Sequence, residues 1–446
     1  MPAESKVIKD AAATPWSAAS FCMERGERTL LFDDQSGSAG GSSSILLCEP
    51  ERWLVEADGK FVEGPTGRPV SDPIAWMRYH HRPAGKTSAK PFVGGIAGVL
   101  GFEFGWFLDE LNTEARADKT PGLWVGVFPA AAVYETDRKQ WSVVGRTSSA
   151  IERLAERIKC APREAICGDQ GVGRRLAGDV DSARYAAQVE SAVDAIYAGE
   201  FFEVNYTERF RGRWSGDRRH LHDQLRRRAP GDFGVVLDIP ELFLASVSPE
   251  QFLRVDNSGH IVTRPIKGTR QRGENPGQDR RLAEELVNSE KDRAENVMIV
   301  DLMRNDLTRV CKPGSVRATE LCKLHSFASV HHLVSQVEGQ LSDSFSALDA
   351  FLAAFPAGSI TGAPKLRSME WIATHEKSAR GPYTGSAFYW SDCGRLDSNV
   401  LIRTAVVADD EVAFGSGGAV VADSDPEGEY EEALWKAAPF IALMED

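Results

Sequence analysis

The chain has 446 residues and a mass of 48.8 kDa, and its 52 Lys and Arg stand against 65 Asp and Glu for a net charge of −13. That balance argues against a nucleic-acid binder held by a global basic field, although local cations can still make a pocket for a small anion. No stretch of about 18 uncharged apolar residues occurs, so no membrane association through a spanning helix is expected.

The length allows two or three domains or one large α/β unit. Residues 1–13 mix Glu4, Lys6, Lys9 and Asp10 and lack the apolar core of a signal peptide. Seven cysteines are odd in number and scattered, with no C-x-x-C, which speaks against a disulfide framework or a structural zinc site. The expected compartment is the cytoplasm.

Taken in chain order, short strands are predicted at 29–32 and 44–47, on either side of a Gly/Ser-rich loop over 35–44. Residues 91–108 are apolar and glycine-rich, a pattern of close backbone approach in a core. Strands follow at 123–134 and 140–145, then a helix at 151–159 and a linker at 160–180. Asp181 or Ser182 caps a helix whose Tyr185, Val189, Val193 and Ile196 share one face, and Gly199 suits its end. Beyond it come strands at 233–237 and 243–246, a long helix near 280–298, and strands at 386–390, 400–407 and 412–414. Many strands are adjacent in sequence, which predicts a largely antiparallel α+β fold rather than a doubly wound parallel sheet.

Several patterns could carry chemistry. Asp292/Glu295 and Glu429/Glu432 are i, i+3 pairs in helical stretches, so each pair shares a face and together they offer four hard oxygen donors suited to Mg²⁺. Lys267 lies between Arg264 and Arg270; crowding by cations, or burial, would free its amine as a nucleophile. His331 and His332 are adjacent. The glycines of 415–419 and the turn at 359–365 could bring backbone N–H groups close to an anion. Each pattern alone is equally that of a solvated helix face, a basic surface strand, a packed histidine or an ordinary turn.

The order and wording of the blocks are more specific. RPIKGTRQRG (264–273), AENVMIVDLMRNDL (294–307), VHHLVSQVEGQL (330–341), FPAGSITGAPKLRSME (355–370), RGPYTGSAFYW (380–390), IRTAVV (402–407) and GSGGAVVADSDPEGEYEEALWKA (415–437) resemble, in one order, the chorismate-utilising enzymes. The resemblance implies two large, mostly antiparallel sheets packed together and flanked by helices. It also implies an N-terminal region at 1–160 that contributes to the same core and a chorismate-binding region at 181–440. Within the family, Lys267 in PIKGT and the VHH of 330–332 resemble the aminodeoxychorismate synthase branch more than the anthranilate synthase branch, which is the alternative. Cys48 stands where feedback-regulated anthranilate synthases carry a Glu in L-L-E-S, so tryptophan feedback is not expected.

The resemblance further implies roles. Asp292, Glu295, Glu429 and Glu432 would hold Mg²⁺. Tyr383, Arg403, Lys436 and the backbone of Gly417, Gly418 and Ala419 would cradle chorismate, with Gly268, Thr269 and Thr361 nearby. Lys267 would form a covalent adduct at C2 of the ring. Glu250 would serve as acid/base and His332 as a secondary acid/base or orienting group. Ammonia would come from a separate glutamine amidotransferase subunit or from solution. In GEFFEVN (199–205) Glu203 replaces the family Gln, and the expectation is that it pairs with Lys267 or takes its proton. Asp292 is shorter than the family Glu, and Trp435 stands in place of an Asn or Asp.

Overall fold

A computed structural model describes residues 4–9, 11–34, 43–57, 59–84, 88–111, 120–168, 172–327 and 330–445. Two antiparallel sheets, each of 12 strands, account for the β structure of these residues. Each sheet joins a block of strands from the N-terminal part of the chain to a block from the C-terminal part at one seam. In the first sheet Thr29–Asp33 pairs with Phe233–Ile239, and in the second Gly95–Leu100 pairs with Ser386–Ser391.

The apolar runs are continuous because both faces of each sheet are buried. On Ser43–Cys48, Ile45 and Leu47 point into the layer between the sheets, while Leu46 points outward beneath helices. Gly95–Leu100 divides in the same way: Ala97 and Val99 enter the inter-sheet layer, and Ile96 and Leu100 enter the outer layer. The period of two thus sends alternate residues into two separate cores. Outside the first sheet lie the helices Pro15–Glu24, Ser148–Cys160, Arg218–Arg228 and part of Pro426–Glu445. No helix is long and apolar enough to cross a membrane among the described residues.

Several expectations shift at identifiable residues. The strand predicted at 123–134 is two, Leu123–Phe128 and Ala130–Glu135, because Pro129 interrupts the ladder. Part of the predicted linker is a strand, Val172–Gly178, paired with Glu203–Ser215. The single helix expected near 280–298 is broken at Ser289 into Pro276–Asn288 and Glu290–Thr308. Ser289 leaves helical geometry and its hydroxyl accepts from the Asp292 N–H, which fixes the start of the second helix. The strand expected from 400 begins only at Thr404, because Arg403 has a left-handed backbone at φ +48°. Most of the predicted 35–44 loop lies outside the described residues. Asp181 does cap the helix Ser182–Tyr197, accepting from the Arg184 N–H at 2.9 Å.

Candidate active site

A cavity of about 640 Å³ opens between the second sheet, the helices Glu290–Thr308 and Pro426–Glu445, and the end of the strand Glu411–Val420. Lys267 lies on its wall, only 8% exposed, in the strand Ile266–Gln271. Its ammonium donates to Glu203 Oε1 at 2.5 Å. Glu203 is fully buried behind it, and its second oxygen has no partner among the described residues. Burial alone would lower the lysine pKa, but Glu203 and Glu295 outweigh it and hold the amine protonated.

Glu250 faces the same space and accepts from the Ser359 hydroxyl at 2.8 Å. Its carboxyl is pushed up to about 7, chiefly by burial, with Ser359 and Lys267 pulling the other way. His332 lies across a strand pair, its Nδ1 2.8 Å from the Thr269 hydroxyl, while its Nε2 has no partner among the described residues. Burial and the Arg403 charge lower its pKa to about 4, so the ring is neutral at pH 7.

The two acidic pairs line one cavity. Asp292 and Glu295 come from Glu290–Thr308, and Glu429 and Glu432 from Pro426–Glu445; all four line it. Their charge is unevenly balanced. Asp292 pairs with Arg270 at 3.1 Å, Glu429 lies 3.7 Å from Lys291, and Glu432 pairs with Lys436 at 2.7 Å. Glu295 makes no such pair, and burial raises it to about 7 despite Lys267 nearby. Burial also raises Glu429. Gly418 is where these groups need space, since a Cβ there would lie 2.9 Å from Glu429 Oε2. An all-oxygen donor set, two of its members raised by burial, fits a hard divalent cation. Among the described residues, the group whose ligand atoms already lie within 4.8 Å of one another is elsewhere, at Cys22, Glu27 and Cys48. There Arg25 and Arg157 already bind the Glu27 carboxylate, and the seven cysteines are free thiols.

The glycine run is not a turn. Residues 415–419 continue the strand Glu411–Val420, laddered on one side to Glu203–Ser215, with Asn205 opposite Ala419 and Thr207 opposite Gly417. On the other side the ladder to Thr404–Ala408 stops at Phe414. Past that point Gly415, Gly417 and Ala419 border the cavity. A Cβ at Gly415 would lie 2.1 Å from the Tyr383 ring, so only glycine lets that ring reach the wall. Arg403 also lines the cavity, and no carboxylate of the described residues pairs with it. Lys436 donates to the Gly417 carbonyl at 2.9 Å.

Gly268 and Thr269 border the cavity beside Lys267. Thr361 does not: it is fully buried, and its hydroxyl donates to the carbonyls of Ala357 and Gly358. The turn before the helix Lys365–His375 also presents no free N-terminus to the cavity, because only Ser359 and Ile360 reach it. Ser359, Lys291 and Asn205 are wall residues that sequence reading did not single out. Ser359 and Asn205 stood within the quoted blocks, but nothing in residue type marked them.

Comparison with known proteins places this geometry in a family. The family described as chorismate binding enzyme matches residues 46–442. Aminodeoxychorismate synthase component 1 of Salmonella typhimurium is 36% identical over 358 residues, covering 80% of this chain and 78% of that protein. Anthranilate synthase component 1 of Thermus thermophilus is 38% identical over 441 residues, covering 97% and 95%. The crystal structure of anthranilate synthase component I from Streptococcus pneumoniae TIGR4 superposes with a TM-score of 0.80 at 27% identity, covering 91% of this chain and 93% of that one. With the matched region running through both sheets and every wall of the cavity, the chain belongs to the chorismate binding enzymes.

Proposed function

We propose that this chorismate-utilising enzyme is an aminodeoxychorismate synthase component I, which converts chorismate and ammonia to 4-amino-4-deoxychorismate. The observation that carries the reading is a lysine, Lys267, buried in the cavity wall with a carboxylate at 2.5 Å as its proton acceptor. Lys267 gives a proton to Glu203, and its amine adds at C2 of the ring while the C4 hydroxyl leaves as water. Glu250, protonated below about pH 7, is the group that gives the departing hydroxyl its proton. Ammonia then adds at C4 and expels the lysine, which recovers its proton.

Tyr383, Arg403 and the open strand edge at 417–419 receive substrate carboxylate, and neutral His332 orients through its unpartnered Nε2. Asp292, Glu295, Glu429 and Glu432 would hold Mg²⁺, which when bound supplies a Lewis acid for the ring carboxylate and the leaving hydroxyl. The ammonia source is a glutamine amidotransferase subunit or free ammonia; the name of the Salmonella relative, a component 1, supports a separate partner.

The Thermus thermophilus relative supports a second reading, anthranilate synthase component I. Incubation with chorismate, Mg²⁺ and ammonium separates the two. The first reading expects a product that yields 4-aminobenzoate only after a lyase is added. Fluorescent anthranilate formed without a lyase would replace it with the second.

A further inference from the structure

Behind the cavity, and not lining it, Glu376 and Arg380 form a buried ion pair, 4% and 2% exposed at their side chains. Arg380 uses all of its guanidinium hydrogens. Nε donates to Glu376 Oε2 at 2.9 Å and Nη2 to Glu376 Oε1 at 2.6 Å. The remaining bonds reach the Asn205 carbonyl at 2.6 Å, the Ile360 carbonyl at 2.8 Å and the Thr384 hydroxyl at 3.4 Å. An arginine has five such donors, so the fork is saturated. Its plane also lies over Phe102, 4.4 Å from the ring centre.

The partners of this fork are the walls of the cavity. Asn205 lines it two residues after Glu203, and Ile360 follows Ser359, which holds Glu250. Thr384 follows Tyr383. Glu376 extends the clamp to the Thr207 N–H and hydroxyl, both at 2.9 Å. Glu103 fixes the same segment from outside, accepting from the N–H groups of Arg380 and Gly381 at 2.7 and 2.9 Å.

The held segment is strained. Thr384 has φ +60° and Arg403 φ +48°, left-handed positions that a β-branched residue and an arginine rarely adopt. The Thr384 N–H is tied to the Leu401 carbonyl at 2.8 Å, so the two strained positions belong to one connected wall. Strain of this kind persists only where surrounding bonds over-determine it.

We propose that Glu376 and Arg380 are positioning residues, a buried clamp that sets the Lys267–Glu203 strand end, the Glu250 turn and the Tyr383 wall at one spacing. The inference rests on chorismate occupying this cavity, and not on which amination product leaves it. Lysine cannot replace the fork, because it offers three donors from one point. A glutamine at 376 keeps the shape and gives up the charge.

The test compares Arg380→Lys, Glu376→Gln and the milder Glu103→Gln with the wild-type chain. Each is measured for thermal unfolding, for kcat and for KM toward chorismate and toward ammonium. A misplacement of about 1 Å costs on the order of 100-fold. Arg380→Lys and Glu376→Gln should therefore lose about 10- to 100-fold in kcat/KM for chorismate while folded, part of it as weaker binding and a raised chorismate KM because the Tyr383 wall shifts, with the ammonium KM unchanged. The double variant should be no worse than the poorer single one, since the pair acts as a unit. Glu103→Gln, which loosens only one side of the segment, should show a smaller loss in the same parameter. Should Arg380→Lys fail to fold, Glu103→Gln and Glu376→Gln carry the test.

Folded variants with kcat/KM for chorismate within twofold of wild type would overturn the clamp. So would a loss confined to kcat with both KM values unchanged. Calorimetric binding of chorismate, which needs no turnover, separates failure of the clamp from failure of the functional reading. A wild-type chain that binds no chorismate removes the reading, whereas variants that bind as tightly as wild type remove the clamp alone.

Discussion

At the residue scale the site depends on charges that are buried in pairs. Removing one partner of such a pair leaves the other uncompensated, which typically destabilises by about 3–5 kcal/mol. Lys267→Ala should therefore lose turnover and also lower the unfolding free energy, because Glu203 is left fully buried behind it. Adding Glu203→Gln to Lys267→Ala should restore most of the stability and none of the turnover; denaturant unfolding of the single and double variants checks this. Glu250 gives a pH signature. Its folded value of about 7 lies above an ordinary 4.5, so the folded state holds more protons between those limits. Its contribution is present at low pH and falls as pH rises from about 4.5 to about 7, by about 3 kcal/mol in all, and then stays level. Glu250→Gln should flatten that part of the stability curve, and its turnover should lose the fall above pH 7.

Residue identity alone made part of this legible. Glu295, Glu429, Glu432, Lys267, Arg403 and Tyr383 stood in blocks whose order was specific, with Asp292 just before one of them, and they line one cavity. Glu203 was legible only as a departure from a motif. Its contact with Lys267 spans 64 positions in sequence, which no local pattern encodes. Arg380 lay in a quoted block but looked like any arginine, because its importance comes from the five bonds around it. Thr361 was placed near the site by the resemblance, yet its hydroxyl is taken up by the turn that precedes it.

At the element scale, the break at Ser289 matters most. Asp292 and Glu295 occupy the first turns of a helix that starts because a serine hydroxyl accepts the Asp292 N–H. An uninterrupted helix over 280–298 would have sent that pair in another direction. Apolar periodicity could not show the break, because both helices carry the same alternation of charged and aliphatic residues. Ser289→Ala should cost about 1 kcal/mol by loss of the cap. It should also raise the Mg²⁺ concentration needed for half-maximal turnover, because it loosens two of the four carboxylates. Chelation should abolish turnover in the wild-type chain and added Mg²⁺ should restore it. Activity that survives exhaustive chelation would remove the metal assignment. The glycine run teaches a related lesson. It read as a turn from composition, but its neighbour Glu203–Ser215 ladders it into a strand whose far edge is left open.

At the scale of the whole molecule, the two ends of the chain are woven into shared sheets. Phe233–Ile239 needs Thr29–Asp33 as its neighbour, and Ser386–Ser391 needs Gly95–Leu100. A fragment of residues 181–446 would expose two strand edges and half of the inter-sheet layer. It should fail to unfold cooperatively by circular dichroism, and co-expression with residues 1–180 should recover a cooperative transition. Antiparallel α+β character was legible because adjacent strands dominate the sequence. The two seams that join the halves were not, since each rests on a pairing between strands about 200 or more positions apart.

The net charge of −13 likewise concealed a cavity whose wall carries Lys267, Arg403 and Lys436 together with the two acidic pairs. The account turns on Lys267 acting as a nucleophile rather than as a charge. The direct measurement is peptide mass mapping of protein denatured during incubation with chorismate and Mg²⁺, with ammonium withheld. The predicted result is a peptide containing Lys267 heavier by one chorismate less one water, absent from Lys267→Ala. An unmodified Lys267 peptide, together with full turnover by Lys267→Ala once ammonium is added, would contradict it.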